Sequence, residues 1–146
     1  MVAGSAVSGL CAELVASCDR AALAKAPPMR VSIREARNKL RNKIDIAVDS
    51  AVLAKLPDDG LTLDVVVSNM GGIECFILYS EKRAVSLAAS DKDDLRVAID
   101  TALHDWQFEP YVLNDSRVRM MARLPLRIEH HELVLAPAFE IPKLRD

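Results

Sequence analysis

Long apolar runs, aromatic side chains, paired cysteine motifs and an excess of one charge are all scarce in this sequence. No stretch approaches the roughly 18 apolar residues that suggest a membrane-spanning helix. The opening Met1-Val2-Ala3-Gly4-Ser5 lacks the basic start of a secretory signal, and Leu10-Cys11 lacks the small residue that a lipoprotein cleavage site places before its cysteine. The chain therefore reads as soluble, a mature form or a fragment whose targeting segment lies elsewhere. Lys and Arg number 19 against 21 Asp and Glu, so no overall positive field draws in phosphates and a generally basic nucleic-acid binder is excluded. Aromatics at 4% are too few to form stacking platforms along a single strand. The three cysteines, Cys11, Cys18 and Cys75, form no CxxC pair. Seven residues apart on one helix, Cys11 and Cys18 would have Cα atoms about 10.5 Å apart. Bridging needs less than about 7 Å. The cysteines read as small buried apolar residues.

What the sequence does hold is enough apolar material for a core: 51% of 146 residues, which suits one domain, or one domain with a helical arm. Val7, Cys11, Leu14, Cys18 and Ala21 recur at helical spacing and predict a helix from about Ser5 to Ala26, stopped by Pro27-Pro28. Ser32 with Glu35 three residues on is a capping-box signature. Ile33, Ala36, Leu40, Ile44, Ala47 and Ala51 continue it as an apolar stripe, either in one helix or in two broken near Asp45. Pro57-Asp58-Asp59-Gly60 ends it. Leu61, Leu63, Val65 and Val67 then alternate with Thr62, Asp64, Val66 and Ser68, the period of a half-buried strand. A turn at Asn69-Met70-Gly71-Gly72 leads into a return strand over 73–79. Acidic residues around Ser90-Asp94 mark the start of the clearest amphipathic helix, with Leu95, Ile99, Ala102, Leu103 and Trp106 on one face.

After a polar turn at Asn114-Asp115-Ser116 comes the cleanest alternation. Val118, Met120, Ala122, Leu124, Leu126 and Ile128 face one way, and Arg117, Arg119, Met121, Arg123, Pro125 and Arg127 the other. A strand that contains Pro125 suits a sheet edge, because one amide cannot join a ladder. A short apolar run, Glu132 to Ala136, follows His130-His131.

Hairpin, glycine turn, amphipathic helix ending in Trp106-Gln107-Phe108-Glu109-Pro110, then a strand over 118–128 with Pro125: over about residues 61–128 this pattern resembles the C-terminal domain of the TonB energy-transducer family. The chain departs from that family in having Ile46-Ala47-Val48-Asp49 where a Tyr-Pro usually precedes the first strand, and in lacking the membrane anchor and proline-rich spacer. The resemblance implies an α+β fold, a small antiparallel sheet of three strands, or four if residues 132–136 join, with helices on one face. It divides the chain into an N-terminal helical extension at 1–28 and a TonB-like domain at 29–146. It also implies a periplasmic, non-enzymatic adaptor that binds an extended segment of an outer-membrane transporter by sheet-edge augmentation. The edge maps to Val118, Arg119, Met120, Met121, Ala122, Arg123 and Leu124, where the ladder supplies affinity and alternate side chains supply specificity. A competing expectation is a scaffold or dimerisation module of an envelope protein, in which residues 5–26 form a helix–helix contact and residues 132–136 cover or exchange that edge.

Other constellations have plainer readings. The arginine stripe reads as a solvated face partly balanced by Asp64 and Glu74 on neighbouring strands, or as a docking face for an acidic peptide or an anionic envelope polymer. Arg30, Arg34, Arg37 and Arg41, with Lys39 and Lys43, form a basic helix face without a recognition motif. His130 and His131 would point to opposite faces of a strand and not converge on an ion. His104 suits a helix C-terminus. No GxSxG, P-loop or HExxH is present. Accordingly no catalytic residue, metal or cofactor is expected, nor any nucleic-acid partner. Membrane contact is expected only through a segment outside this chain, and a homodimer stays open.

Overall fold

A computed structural model describes residues 12–42, 45–57, 60–81 and 85–136. In chain order the first elements are β1 (Ala12–Ala16), α1 (Arg20–Lys25), β2 (Met29–Arg30), α2 (Ile33–Lys39), β3 (Leu40–Asn42), β4 (Ile46–Ala47) and α3 (Ser50–Leu53). The central hairpin β5 (Leu61–Val67) and β6 (Ile73–Ser80) precedes the long helix α4 (Ala89–Leu103). Then come β7 (Gln107–Phe108), β8 (Tyr111–Leu113), β9 (Ser116–Val118), β10 (Met120–Glu129) and β11 (Glu132–Leu135). The fold is mixed α+β, as expected, but the sheet is larger. Its order is β1-β6-β5-β10-β11-β4, with β2 also on β10, and two small two-stranded sheets, β3-β7 and β8-β9, stand beside it.

The hairpin forms where alternation and turn chemistry predict it. Ser68 donates its amide to Gly72 O at 2.8 Å, and Gly71 takes φ +95°. A Cβ on Gly71 would lie 2.2 Å from Phe108 O, so only glycine fits. Phe108 in turn donates its amide to Gly71 O at 2.9 Å, which pins the Trp106-to-Phe108 segment to the turn. Leu95, Ile99, Ala102 and Leu103 of α4 are buried over one sheet face, with Trp106 and Phe108 closing the same core. That face carries Leu63, Val65, Phe76, Leu78, Met120, Ala122, Leu124 and Leu126.

Four expectations are corrected. The N-terminal helix is interrupted: residues 12–16 are a strand paired antiparallel with β6, and only Arg20–Lys25 is helical (Val7 and Cys11 lie outside the described residues). Short apolar runs satisfy either period, and the free side of β6 decides the matter. Residues 12–16 therefore belong to the sheet and not to a separate helical arm. The second helix starts as predicted, with Ser32 Oγ accepting the Glu35 amide at 3.0 Å, but ends at Lys39. Beyond it β3 pairs with β7 and β4 with β11, tertiary pairing that overrides helix propensity; Ile44 of the predicted stripe, Lys43 of the basic face, and Asp58-Asp59 of the turn lie outside the described residues. Nor is β5 half-exposed; every residue in it is buried, because the helices are not confined to one face. Leu23 and Ala24 of α1 lie opposite Asp64, Ile77, Tyr79 and Met121 on the second face. Finally, Cys18 and Cys75 are not isolated apolar residues. They form a disulfide with Cα atoms 4.9 Å apart, which ties the segment after β1 to β6.

Candidate functional site

The strand expected to offer a free edge is flanked on both sides. On one side β5 runs antiparallel along it from Met120↔Val67 to Leu126↔Leu61. On the other, β2 pairs in parallel through Met120↔Met29 and Met121↔Arg30. The Met29 amide donates to Arg119 O at 3.0 Å and the Val31 amide to Met121 O at 3.3 Å. Further along, the Ala136 amide donates to Pro125 O at 3.0 Å, and β11 pairs from Leu126 to Glu129. The open rim inferred for Val118, Arg119, Met120, Met121, Ala122, Arg123 and Leu124 is thus corrected. The chain's own strands fill both ends of it, and α2 lies against β10 between them. Val118 ends β9, Arg119 links it to β10, and the other five belong to β10.

The alternation inferred for this strand is observed. Met120, Ala122 and Leu124 are fully buried on the α4 side. Arg119, Met121 and Arg123 take the second face. Arg119 donates through Nε and Nη2 to Glu74 at 3.0–3.2 Å and through Nη1 to Ala26 O at 2.8 Å, so one guanidinium fastens the Ala26 end of the chain to β6. That bond to Glu74 holds the Arg119 pKa above the usual arginine value. Arg123 grips Asp64 with two parallel bonds, at 2.9 and 3.1 Å. The Asp64 side chain is 2% exposed and that of Arg123 35%. The bond to Asp64 raises the Arg123 pKa too. Asp64 and Glu74 are the two partners the sequence suggested. Arg127 pairs with Glu129. Among the described residues Arg117 has no carboxylate partner; its Nη1 lies 3.6 Å from Met70 Sδ.

Residues 19–30 form a strap across the second face in which no side chain is buried. Asp19 caps α1 by accepting the Ala21 amide at 2.9 Å, and Cys18 anchors the strap to β6. Beneath it a cleft of about 290 Å³ lies between Leu23, Pro28 and Arg30 on the strap and Asp64, Tyr79 and Met121 on the sheet. A second, open groove of about 530 Å³ lies where the strap meets Asn69 and residues 117–119.

The other candidates disperse. Arg37 donates to Ala136 O, Arg41 pairs with Glu109, and Lys39 Nζ stands 5.3 Å over the Tyr111 ring, so the basic helix face is not one surface. His130 and His131 are not strand neighbours. They form the tight β10–β11 turn, with φ of 49° and 65° at its two central positions. His104 caps the C-terminus of α4. Among the described residues no three His, Cys, Asp or Glu side chains gather as a metal set, and no helix is long and apolar enough to cross a membrane.

Sequence reasoning missed the strap and its disulfide. A two-residue strand leaves no periodic signal, whereas the resemblance to a periplasmic family was itself a reason to pair two of three cysteines. Comparison with protein-family models, curated proteins and solved structures finds no match to this chain.

Proposed function

We propose that the chain is a non-enzymatic, TonB-like adaptor domain of an oxidising compartment such as the periplasm. It takes up an extended segment of a partner, of the kind an outer-membrane transporter presents, on the rim of β10. The observation that carries this reading is how lightly that rim is closed between Arg119 and Met121. Two exposed residues in parallel pairing hold it, and they belong to a strap with no buried side chain. Segments with few buried apolar contacts open locally at a small fraction of the global unfolding cost. When the strap lifts, Arg119 and Met121 present unpaired main chain to an incoming strand, and the disulfide keeps the strap tethered meanwhile. Disulfides persist outside the reducing cytoplasm, which supports the compartment. The hairpin-helix-strand order, with β10 beside β5, supports the resemblance. Binding is favoured over chemistry because several charged groups around the strap already pair with one another: Arg20 with Glu13, Arg119 with Glu74, Arg123 with Asp64.

A scaffold or dimerisation module of an envelope protein is the second reading. It is favoured by β11 and β4, which extend the sheet past the other half of the same strand.

The strap itself supplies a probe. Met29→Pro removes the amide that bonds Arg119 O and leaves the core untouched, since Met29 is exposed. In that variant a synthetic peptide with the sequence of residues 26–33 should bind in trans and shift the amide signals of Met121 and Arg123. The same peptide should leave the wild-type protein, whose rim is filled, unchanged. A folded Met29→Pro protein that ignores the peptide at about 1 mM would favour the scaffold.

A further inference from the structure

At the end of the molecule where the central hairpin turns lie four of the five exposed large hydrophobic residues among the described residues, of which Met29 lines the open groove. Met70, 64% exposed, is on the β5–β6 turn; Met29 is on the strap; Val112, 55% exposed, and Leu113 are on β8. Their arrangement is fixed by structure already described. Val112 stands across from Arg117 in the β8–β9 register, and Arg117 reaches Met70. The open groove between this ridge and the strap has Pro27, Pro28 and Met29 on one wall and Arg117 and Val118 on the other. Its volume of about 530 Å³ is in the range that holds several side chains. The two prolines lack amide donors, and Ala26 O already accepts from Arg119, so this wall offers a partner apolar surface and carbonyl acceptors but no proline amide donors. Of the stripe arginines, Arg119, Arg123 and Arg127 each pair with a carboxylate. Arg117 is left to pair with something else.

From this we infer that the groove is a docking site for a partner peptide in which an apolar side chain alternates with a carboxylate. The apolar group lies between Pro28, Met29 and Val118, and the carboxylate meets the Arg117 fork. The flexible Met29 side chain adapts to varied apolar side chains, while the Arg117 guanidinium selects the charge. The inference rests on the adaptor reading only in taking a peptide as occupant. The groove lies beside the β10 rim and does not require the strap to lift.

The test is an NMR titration of the labelled protein with a synthetic peptide of about ten residues alternating Leu and Glu, and with its Leu-Lys counterpart. The Leu-Glu peptide should shift the amides of Met29, Asn69, Met70, Arg117 and Arg119 and bind at least about tenfold tighter than the Leu-Lys peptide. Arg117→Glu should erase that preference, and Arg117→Lys should retain part of it. Arg117 is exposed on a hairpin, so both variants should fold. Equal affinity for the two peptides, an unchanged preference in Arg117→Glu, or no binding at about 1 mM overturns the inference. Shifts confined to Met121 and Arg123 with release of the strap also overturn it, yet leave the adaptor reading standing. Concentration-dependent self-association lost in Arg117→Glu would assign the groove to a second copy and overturn it as well.

Discussion

Replacing Arg123 probes the second face more sharply than any other single change. Alternation alone suggests that Arg123→Glu is tolerated on a solvated face, but the geometry says otherwise. The Asp64 carboxylate is 2% exposed and takes two charge-assisted bonds from Arg123. Breaking a buried pair by removing one partner costs about 3–5 kcal/mol. Because the Arg123 side chain is 35% exposed, water partly replaces it, and Arg123→Leu should cost about 2–3 kcal/mol. Arg123→Glu adds repulsion of about 4 kcal/mol for charges roughly 4 Å apart at an effective dielectric constant of 20. Proton uptake at pH 7 caps that penalty near the same value, so the total should be about 6–7 kcal/mol, a large part of a typical domain's stability. The double change Asp64→Val with Arg123→Leu should be close to neutral, because no buried charge is stranded. Urea unfolding of the wild type, Arg123→Leu, Asp64→Val and the double variant, read as midpoint shifts at constant slope, gives the coupling directly. A cost below about 0.5 kcal/mol for Arg123→Leu, or zero coupling in the cycle, would falsify the argument.

Two further outcomes follow from named contacts. The Cys18–Cys75 bridge has a sequence separation of 57, for which the chain-entropy relation gives about 4 kcal/mol, so reduction or Cys75→Ser should lower the melting temperature by roughly 8–16 °C. An unchanged melt under reducing conditions would mean the bridge does not form in solution. The Lys55 ammonium, 2.6 Å from Asp91 Oδ2, lowers that carboxyl's pKa below the ordinary 3.8, with the Ala88 amide helping. A lowered carboxyl pKa adds stability above the unfolded value that is lost as pH falls through the folded value. The Asp91 carboxyl carbon should therefore titrate below 3.8 and return towards it in Lys55→Met; identical midpoints in both proteins would discount the pair.

The long, periodic elements were legible in the sequence. Residues 61–67 and 73–80 form the hairpin, 89–103 the helix, and 120–129 the strand whose even positions are buried, because each carries enough repeats for burial to impose its period. The arginine partners Asp64 and Glu74 were legible for the same reason: alternation fixes the face, and the register then brings them opposite or near. What failed was pairing that leaves no local trace. β2, β3 and β4 are two or three residues long and exist only because β10, β7 and β11 offer open main chain. Pro125 reads as an edge signal, yet the register sets it opposite Thr62 while its carbonyl accepts from Ala136. Proline removes a donor and leaves the acceptor usable. Cys18 and Cys75 are far apart in sequence, and only the antiparallel turn-back of β1 onto β6 brings them together.

Native-state hydrogen exchange at Met29 tests the releasable strap most directly. The Met29 amide bonds to β10 from a segment without buried side chains, so it should exchange by local opening, orders of magnitude faster than amides in the interior of β5. Protection equal to that of β5, lost only on global unfolding, would make the strap an integral strand and contradict the account.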